Sequence, residues 1–102
     1  MQVNTHSVNF TVDRKLVAFI QKRMDKLESF YDQVINSDVY LKVENTSEKA
    51  NKIVEVKVAV PGDEFMVKKT CKSFEEGIDM ATSSLGRVLL KRKGKLRAYI
   101  RQ

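Results

Sequence analysis

Val54, Val56, Val58 and Val60 alternate with Glu55, Lys57 and Ala59 along residues 52–60. Successive side chains of a strand point to opposite faces, so this segment makes a strand with one apolar and one wet face. Residues 38–44 repeat the pattern, with Val39, Leu41 and Val43 on one side and Tyr40, Lys42 and Glu44 on the other. A sheet that is apolar on one face only must be covered on that face alone. The helices of this chain are therefore expected together on one side, in a two-layer α+β domain.

The remaining elements follow from local signals. A short strand is expected at 2–7, with Val3 and Thr5 on one face. A helix is expected over 14–31, where Leu16, Ile20, Met24, Leu27 and Tyr31 recur at three- and four-residue steps. Asp13 is placed to cap it by accepting first-turn amides, and Val12 and Val17 have the spacing of a hydrophobic staple. The polar stretch 45–51 joins the second and third strands, and Pro61-Gly62-Asp63 is a tight turn into a fourth strand at 64–72. Phe65 and Val67 are expected to face inward from that strand. Ser73-Phe74-Glu75-Glu76 is a capping box that opens a last helix over 74–98. Its core stripe is Phe74, Ile78, Ala81, Leu85, Val88, Leu89 and Leu96. The order is β-α-β-β-β-α. A right-handed crossover makes the first two strands parallel, and the rest form an antiparallel meander. The open face, with Tyr40, Lys42, Glu44, Glu55, Lys57 and Lys68, is expected to be wet.

Composition narrows the function. The 102 residues leave room for one domain. No uncharged apolar run approaches the ~20 residues of a membrane span, and MQVNTHSVNF lacks the basic start and apolar block of a secretory signal. Cys71 is the one cysteine and His6 the one histidine, so neither an internal disulfide nor a His/Cys zinc site is expected. These features place the chain in the cytoplasm. No Gly-rich phosphate loop, catalytic triad or metal-ligand spacing is present, and neither an enzyme nor a cofactor is expected. His6 reads as a surface residue without a partner, and Cys71 as a half-buried thiol whose pKa Lys69 and Lys72 are placed to lower. Asp25, Glu28 and Asp32 read as solvated helix charges, and Tyr40 as a packing residue of the sheet face. Tyr40 and Tyr99 are the aromatics placed to stack on a base.

The net charge of +6 is local in origin. Residues 1–80 carry 12 cations and 13 acids, whereas 81–102 carry seven cations and no acid. At about 100° per residue, Arg87, Lys91 and Lys95 form one ridge of the last helix. Lys93, Arg97 and Arg101 form a second ridge on the opposite flank, and Arg92 projects on the core side. The first helix has its own row of Lys15, Lys22 and Lys26, with Arg23 close by. If the helices lie side by side, the two rows border a common groove. Like charges four residues apart repel, so a row without interspersed acid is shaped for a polyanion. The helix leaves no apolar face for lipid, and a helix committed to a sheet cannot enter a DNA major groove, so neither membrane nor DNA is expected. RNA, read by shape and phosphate, fits better. The order is close to that of the double-stranded-RNA-binding domain, but Glu75, Glu76 and Asp79 would repel phosphate where that domain attracts it.

Lys26-Leu27-Glu28, Asp32, Tyr40-Leu41-Lys42-Val43-Glu44, Ile78-Asp79 and Leu90-Lys91-Arg92-Lys93-Gly94-Lys95-Leu96-Arg97, with the opening Met1-Gln2-Val3-Asn4, carry a family resemblance. The chain resembles the ribosome hibernation-promoting factors, also called ribosome-associated translation inhibitors and once described as sigma-54 modulation proteins. The resemblance implies a single domain, residues 1–102, that binds the small ribosomal subunit and its rRNA in the channel for messenger and transfer RNA. There it would block translation in stationary bacterial cells. It also implies rRNA contacts by Arg23, Lys26, Lys91, Arg92, Lys93, Lys95 and Arg97, to which the helical wheel adds Lys22 and Arg87. Long members carry a second domain that pairs two ribosomes; the expectation here is the short form, and a monomer. Two other readings stay open: a protein-interaction module acting on transcription machinery, and a generic structured-RNA binder.

Overall fold

The alternation of residues 52–60 is realised as the third strand of a four-stranded sheet. A computed structural model describes residues 2–8, 10–44 and 51–100, with residues 95–100 described by backbone alone. The elements are β1 (Gln2–Val8), α1 (Arg14–Phe30), β2 (Asn36–Val43), β3 (Lys52–Val60), β4 (Asp63–Cys71) and α2 (Phe74–Ile100). The sheet order is β1-β2-β3-β4, with β1 parallel to β2 and the other pairs antiparallel. This is the expected two-layer α+β arrangement. The loop 45–50 lies outside the described residues, as do the side chains of Leu96 and Tyr99.

Both helices cover the valine face. One core joins Leu16, Ile20, Met24, Leu27 and Tyr31 of the first helix segment to Val39 and Leu41 of β2. It continues through Val54, Val56, Val58 and Val60 of β3 and Ile78, Ala81, Leu85 and Leu89 of α2. Cross-strand register aligns Val39, Val56 and Val67 on this face, and His6, Tyr40, Glu55 and Lys68 on the other. Each fully buried Val, Leu or Ile contributes about 1.5–3 kcal/mol of transfer free energy, so this face dominates stability.

The ends are held by the expected chemistry. Leu16 N–H donates to Asp13 Oδ1 at 2.7 Å, and Glu76 N–H to Ser73 Oγ at 3.2 Å. Among the described residues only the serine half of the capping box forms. Gly62 takes φ 77° after Pro61, the left-handed geometry that a Pro-Gly turn requires, and Val60 pairs with Asp63 across it. Tyr31 ends α1 by donating its N–H to the carbonyls of Leu27 and Glu28.

Several expectations are corrected. Val88 is 37% exposed, because Ala81, Leu85 and Leu89 at four-residue steps face the sheet and turn position 88 onto the flank. Val17 is also exposed, so the staple with Val12 buries little there. The open face is not uniformly wet: Ile53 lies there between Lys42 and Thr70 and is buried. β2 starts two residues earlier than expected, which brings Ser37 fully under the helices with no described hydrogen-bond partner for its hydroxyl. Cys71 is buried and not half-buried, and its Sγ approaches Met80 Sδ at 3.4 Å. Burial, reinforced by the Glu76 carboxylate, pushes its thiol pKa up, and Lys69 offsets this only in part.

Two tests follow from this packing. α2 passes so close to β3 that a Cβ added at Gly77 would sit 2.6 Å from Val54 Cγ2. Gly77→Ala gains about 1 kcal/mol of helix propensity but overpacks a rigid strand, at about 1–3 kcal/mol. A lowered melting temperature is expected, with the double variant Gly77→Ala/Val54→Ala losing less than the sum of the two single variants; a raised one would contradict the close approach. The raised Cys71 pKa means that the folded chain holds the thiol proton more tightly than the unfolded chain. Its contribution to stability is intact below the ordinary value of 9.0 and is lost as pH rises through the folded value. Denaturant midpoints should fall on the alkaline side in the native chain and fall less in Cys71→Ala. Equal alkaline losses would contradict this.

Candidate nucleic-acid interface

Because α1 and α2 share one face of the sheet, they lie side by side, with Gly86 of α2 facing Leu27 of α1. The cleft between them is lined by Arg23, Lys26, Leu27 and Phe30 from α1 and by Asp79, Thr82 and Ser83 from α2. A second cleft adjoins it between α2 and β4, where Lys69 and Arg87 stand beside Met80 and Ser84. Asp79 and Ser83 line both, so this outward ridge of α2 stands between two neighbouring clefts. Lys26 of the basic row of α1, with Arg23, thus lines the cleft between the helices, whereas Arg87 lines the adjoining cleft on the β4 side of α2.

The cations differ in how they are held. Lys22, Lys26, Arg87 and Lys91 are exposed, and Lys93 is half-buried. Arg87 Nη2 donates to Ser84 Oγ at 3.3 Å, a contact along its own helix that leaves the guanidinium facing solvent. Arg23 pairs with Asp79 across the cleft, Nη2 to Oδ1 at 2.9 Å, and its guanidinium lies 5.1 Å from the Phe19 ring centroid. Both partners are more than a third exposed, and such a pair contributes at most about 1 kcal/mol. Its main effect is on charge, since the one acid inside the groove is matched by an arginine.

Arg92 is held most firmly. Nε donates to Tyr31 Oη at 3.1 Å, Nη1 to Asp63 Oδ2 at 3.2 Å and Nη2 to the Pro61 carbonyl at 2.7 Å. The wheel put this residue on the core side, and its partners are the end of α1 and the β3–β4 turn. Lys95 and Arg97 continue along the α2 backbone, but their side chains lie outside the described residues, as does Arg101.

Sequence reasoning missed three features of the groove. The Arg23–Asp79 pair depends on how the helices cross, which no spacing within one helix reveals. Lys69 sits on the covered face of β4, and its alternation with Phe65 and Val67 is the signal that places it there. Phe30, 45% exposed at the cleft, adds an aromatic surface beside the cations. Chemically, the groove offers point charges for phosphate, the Ser83 hydroxyl and one aromatic face, while the Thr82 hydroxyl donates to the carbonyls of Ile78 and Asp79 in its own helix.

The open face is different in kind. His6 stacks on Tyr40 with centroids 4.7 Å apart, and its Nε2 lies 3.1 Å from Asp38 Oδ1. His6 therefore has the partner that the sequence did not show, and Tyr40 is a packing residue as expected. Asp25 accepts from Gln21 Nε2 at 2.8 Å.

Comparison with known proteins gives a consistent picture. The family model described as Sigma 54 modulation protein / S30EA ribosomal protein matches residues 3–97. The chain is 28% identical over 100 residues to a ribosome hibernation promoting factor of Pseudomonas putida, covering 98% of this chain and 94% of that protein. It is 28% identical over 99 residues to a ribosome hibernation promoting factor of Klebsiella oxytoca, covering 97% and 100%. A solved structure of a ribosomal subunit interface protein from Coxiella burnetii superposes with a TM-score of 0.81 at 18% identity, covering 92% of this chain and 99% of that one. At that identity the likeness is one of fold.

Proposed function

The chain belongs to the Sigma 54 modulation protein / S30EA ribosomal protein family, and from that premise we propose that it is a ribosome-binding translation inhibitor. Its hibernation-factor relatives form a non-enzymatic family, so its action is occupancy and not chemistry. The reading is of one domain, residues 1–102, acting in the bacterial cytoplasm. It lies in the channel of the small subunit where messenger and transfer RNA would pass, with the helix layer toward rRNA.

The observation that carries this reading is the shared helix layer. A one-sided sheet places the cations of both helices in one layer, along two adjoining clefts, with the open sheet face turned away. Lys22, Lys26, Arg87, Lys91 and Lys93 are the described side chains that would meet phosphate, with Lys95 and Arg97 continuing the same helix. Arg23 approaches RNA from its pair with Asp79. Folded rRNA presents phosphates and shape more than readable base edges, which suits point charges on a rigid layer. Each phosphate neutralised releases counterions, so affinity should fall steeply with salt.

The chain is expected to sediment with small subunits and whole ribosomes at low salt and to inhibit cell-free translation. Raising salt from about 50 to 200 mM should weaken binding by roughly a thousandfold or more if six phosphates are contacted. Replacing Lys91, Lys93, Lys95 and Arg97 together with Glu should abolish sedimentation and inhibition. Unchanged binding of that variant would overturn the proposal. So would binding that survives high salt and nuclease, which would point to a protein partner.

A further inference from the structure

Arg92 falls within the basic run that the family resemblance assigns to rRNA, yet its surroundings are those of a structural joint. Its three nitrogens donate to three separate elements: the Tyr31 hydroxyl at the end of α1, the Asp63 carboxylate at the start of β4, and the Pro61 carbonyl in the turn. The face of the guanidinium also lies 5.9 Å from the Phe65 ring centroid. The acceptors are themselves anchored. Tyr31 is 3% exposed and its hydroxyl donates on to Gln33 Oε1 at 3.5 Å, while Gly62 fixes the turn that carries Pro61. A planar fork with each of its three nitrogens already donating to the protein, and a carboxylate as counter-charge, is committed to the fold and keeps only two of its five N–H groups unassigned.

Its place along α2 gives the joint a consequence. Leu89 is the last described core residue of α2, but the helix continues to Ile100. Arg92 is the last residue of α2 for which a hydrogen bond to another element is described. From Arg92 to Ile100 the helix is a lever of about 12 Å. A play of about 15° at the joint would displace its end by about 3 Å, more than a phosphate contact tolerates.

We propose that Arg92 is a positioning residue: it fixes the direction in which the basic end of α2 leaves the sheet and thereby sets ribosome affinity without itself contacting RNA. This rests on the ribosome-binding reading above. Loosening the joint makes the helix end a mobile ligand that must be ordered on binding, while the number of phosphates finally contacted is unchanged. Positioning therefore has a signature that contact lacks: affinity falls and the salt dependence does not.

The test measures ribosome affinity against salt for the full chain, well below its melting temperature so that every variant is folded. Asp63→Asn, Tyr31→Phe and Arg92→Gln should each weaken binding roughly three- to tenfold with the wild-type slope of log affinity against log salt. Lys91→Gln should instead lower that slope by roughly 0.7–0.9. Arg92→Lys should not restore affinity, because one ammonium cannot span three acceptors. Asp63→Asn is the sharpest arm, since removing an acid from a polyanion-binding protein should by charge alone tighten binding. Tighter binding of Asp63→Asn, or a slope for Arg92→Gln lowered as much as for Lys91→Gln, would overturn the proposal. The joint is also read without ribosomes: Arg92 Nε–H should give a shifted, slowly exchanging NMR resonance that is lost in Tyr31→Phe. A solvent-like resonance in the wild type would overturn the joint. A wild-type chain with the protected resonance that fails to sediment with ribosomes would overturn the function instead.

Discussion

The structure depends on burying one face of one sheet. Val54, Val56, Val58 and Val60 line the central strand on one side only, and two helices are needed to cover what the four strands present. With both helices confined to that side, they must lie next to each other, and their outward flanks become a single surface. The groove is thus a by-product of core packing. Gly77 lets α2 settle against Val54, where an added Cβ would have no room. Had the sheet been apolar on both faces, the two basic rows would have been separated by its thickness.

Much of the fold was legible, for identifiable reasons. The period-two valines, the three- and four-residue stripe from Leu16 to Tyr31, the Asp13 and Ser73 caps and the Pro61-Gly62 turn are local patterns, and each folds as it reads. What was not legible depends on distance in sequence. Ser37 is buried because β2 pairs two residues further than its alternation shows, and Ile53 is buried on a face its own strand marks as polar. Val88 fits the helical period but loses its place to Leu85 and Leu89 once the angle of α2 on the sheet is set. The environment of Cys71 was misread for the same reason: the neighbouring lysines are visible in sequence, but the desolvation that outweighs them comes from packing.

The candidate site divides along the same line. That Arg92 points to the core follows from its position three residues after Leu89, but its partners Tyr31, Pro61 and Asp63 lie 61, 31 and 29 residues away in the chain. The pairing of Arg23 with Asp79 is likewise a product of the helix crossing. Counting charges therefore overstates the free cationic surface at these two arginines, since each is matched by a carboxylate. The net charge understates it elsewhere, because Asp63, Glu64 and the acids of β2 and β3 lie away from the groove lining. Placement, not the sum, is what suits this layer to RNA.

Which face meets RNA is the central claim, and tethered hydroxyl-radical cleavage measures it most directly. Iron chelates attached at Ser83→Cys in the helix layer and at Lys68→Cys on the open sheet face would each be bound to small subunits, with the buried Cys71 left unlabelled. Strong, localised cleavage of small-subunit rRNA from position 83, and weak or no cleavage from position 68, is the expected result. Equal cleavage from both positions, or stronger cleavage from the sheet face, would contradict it.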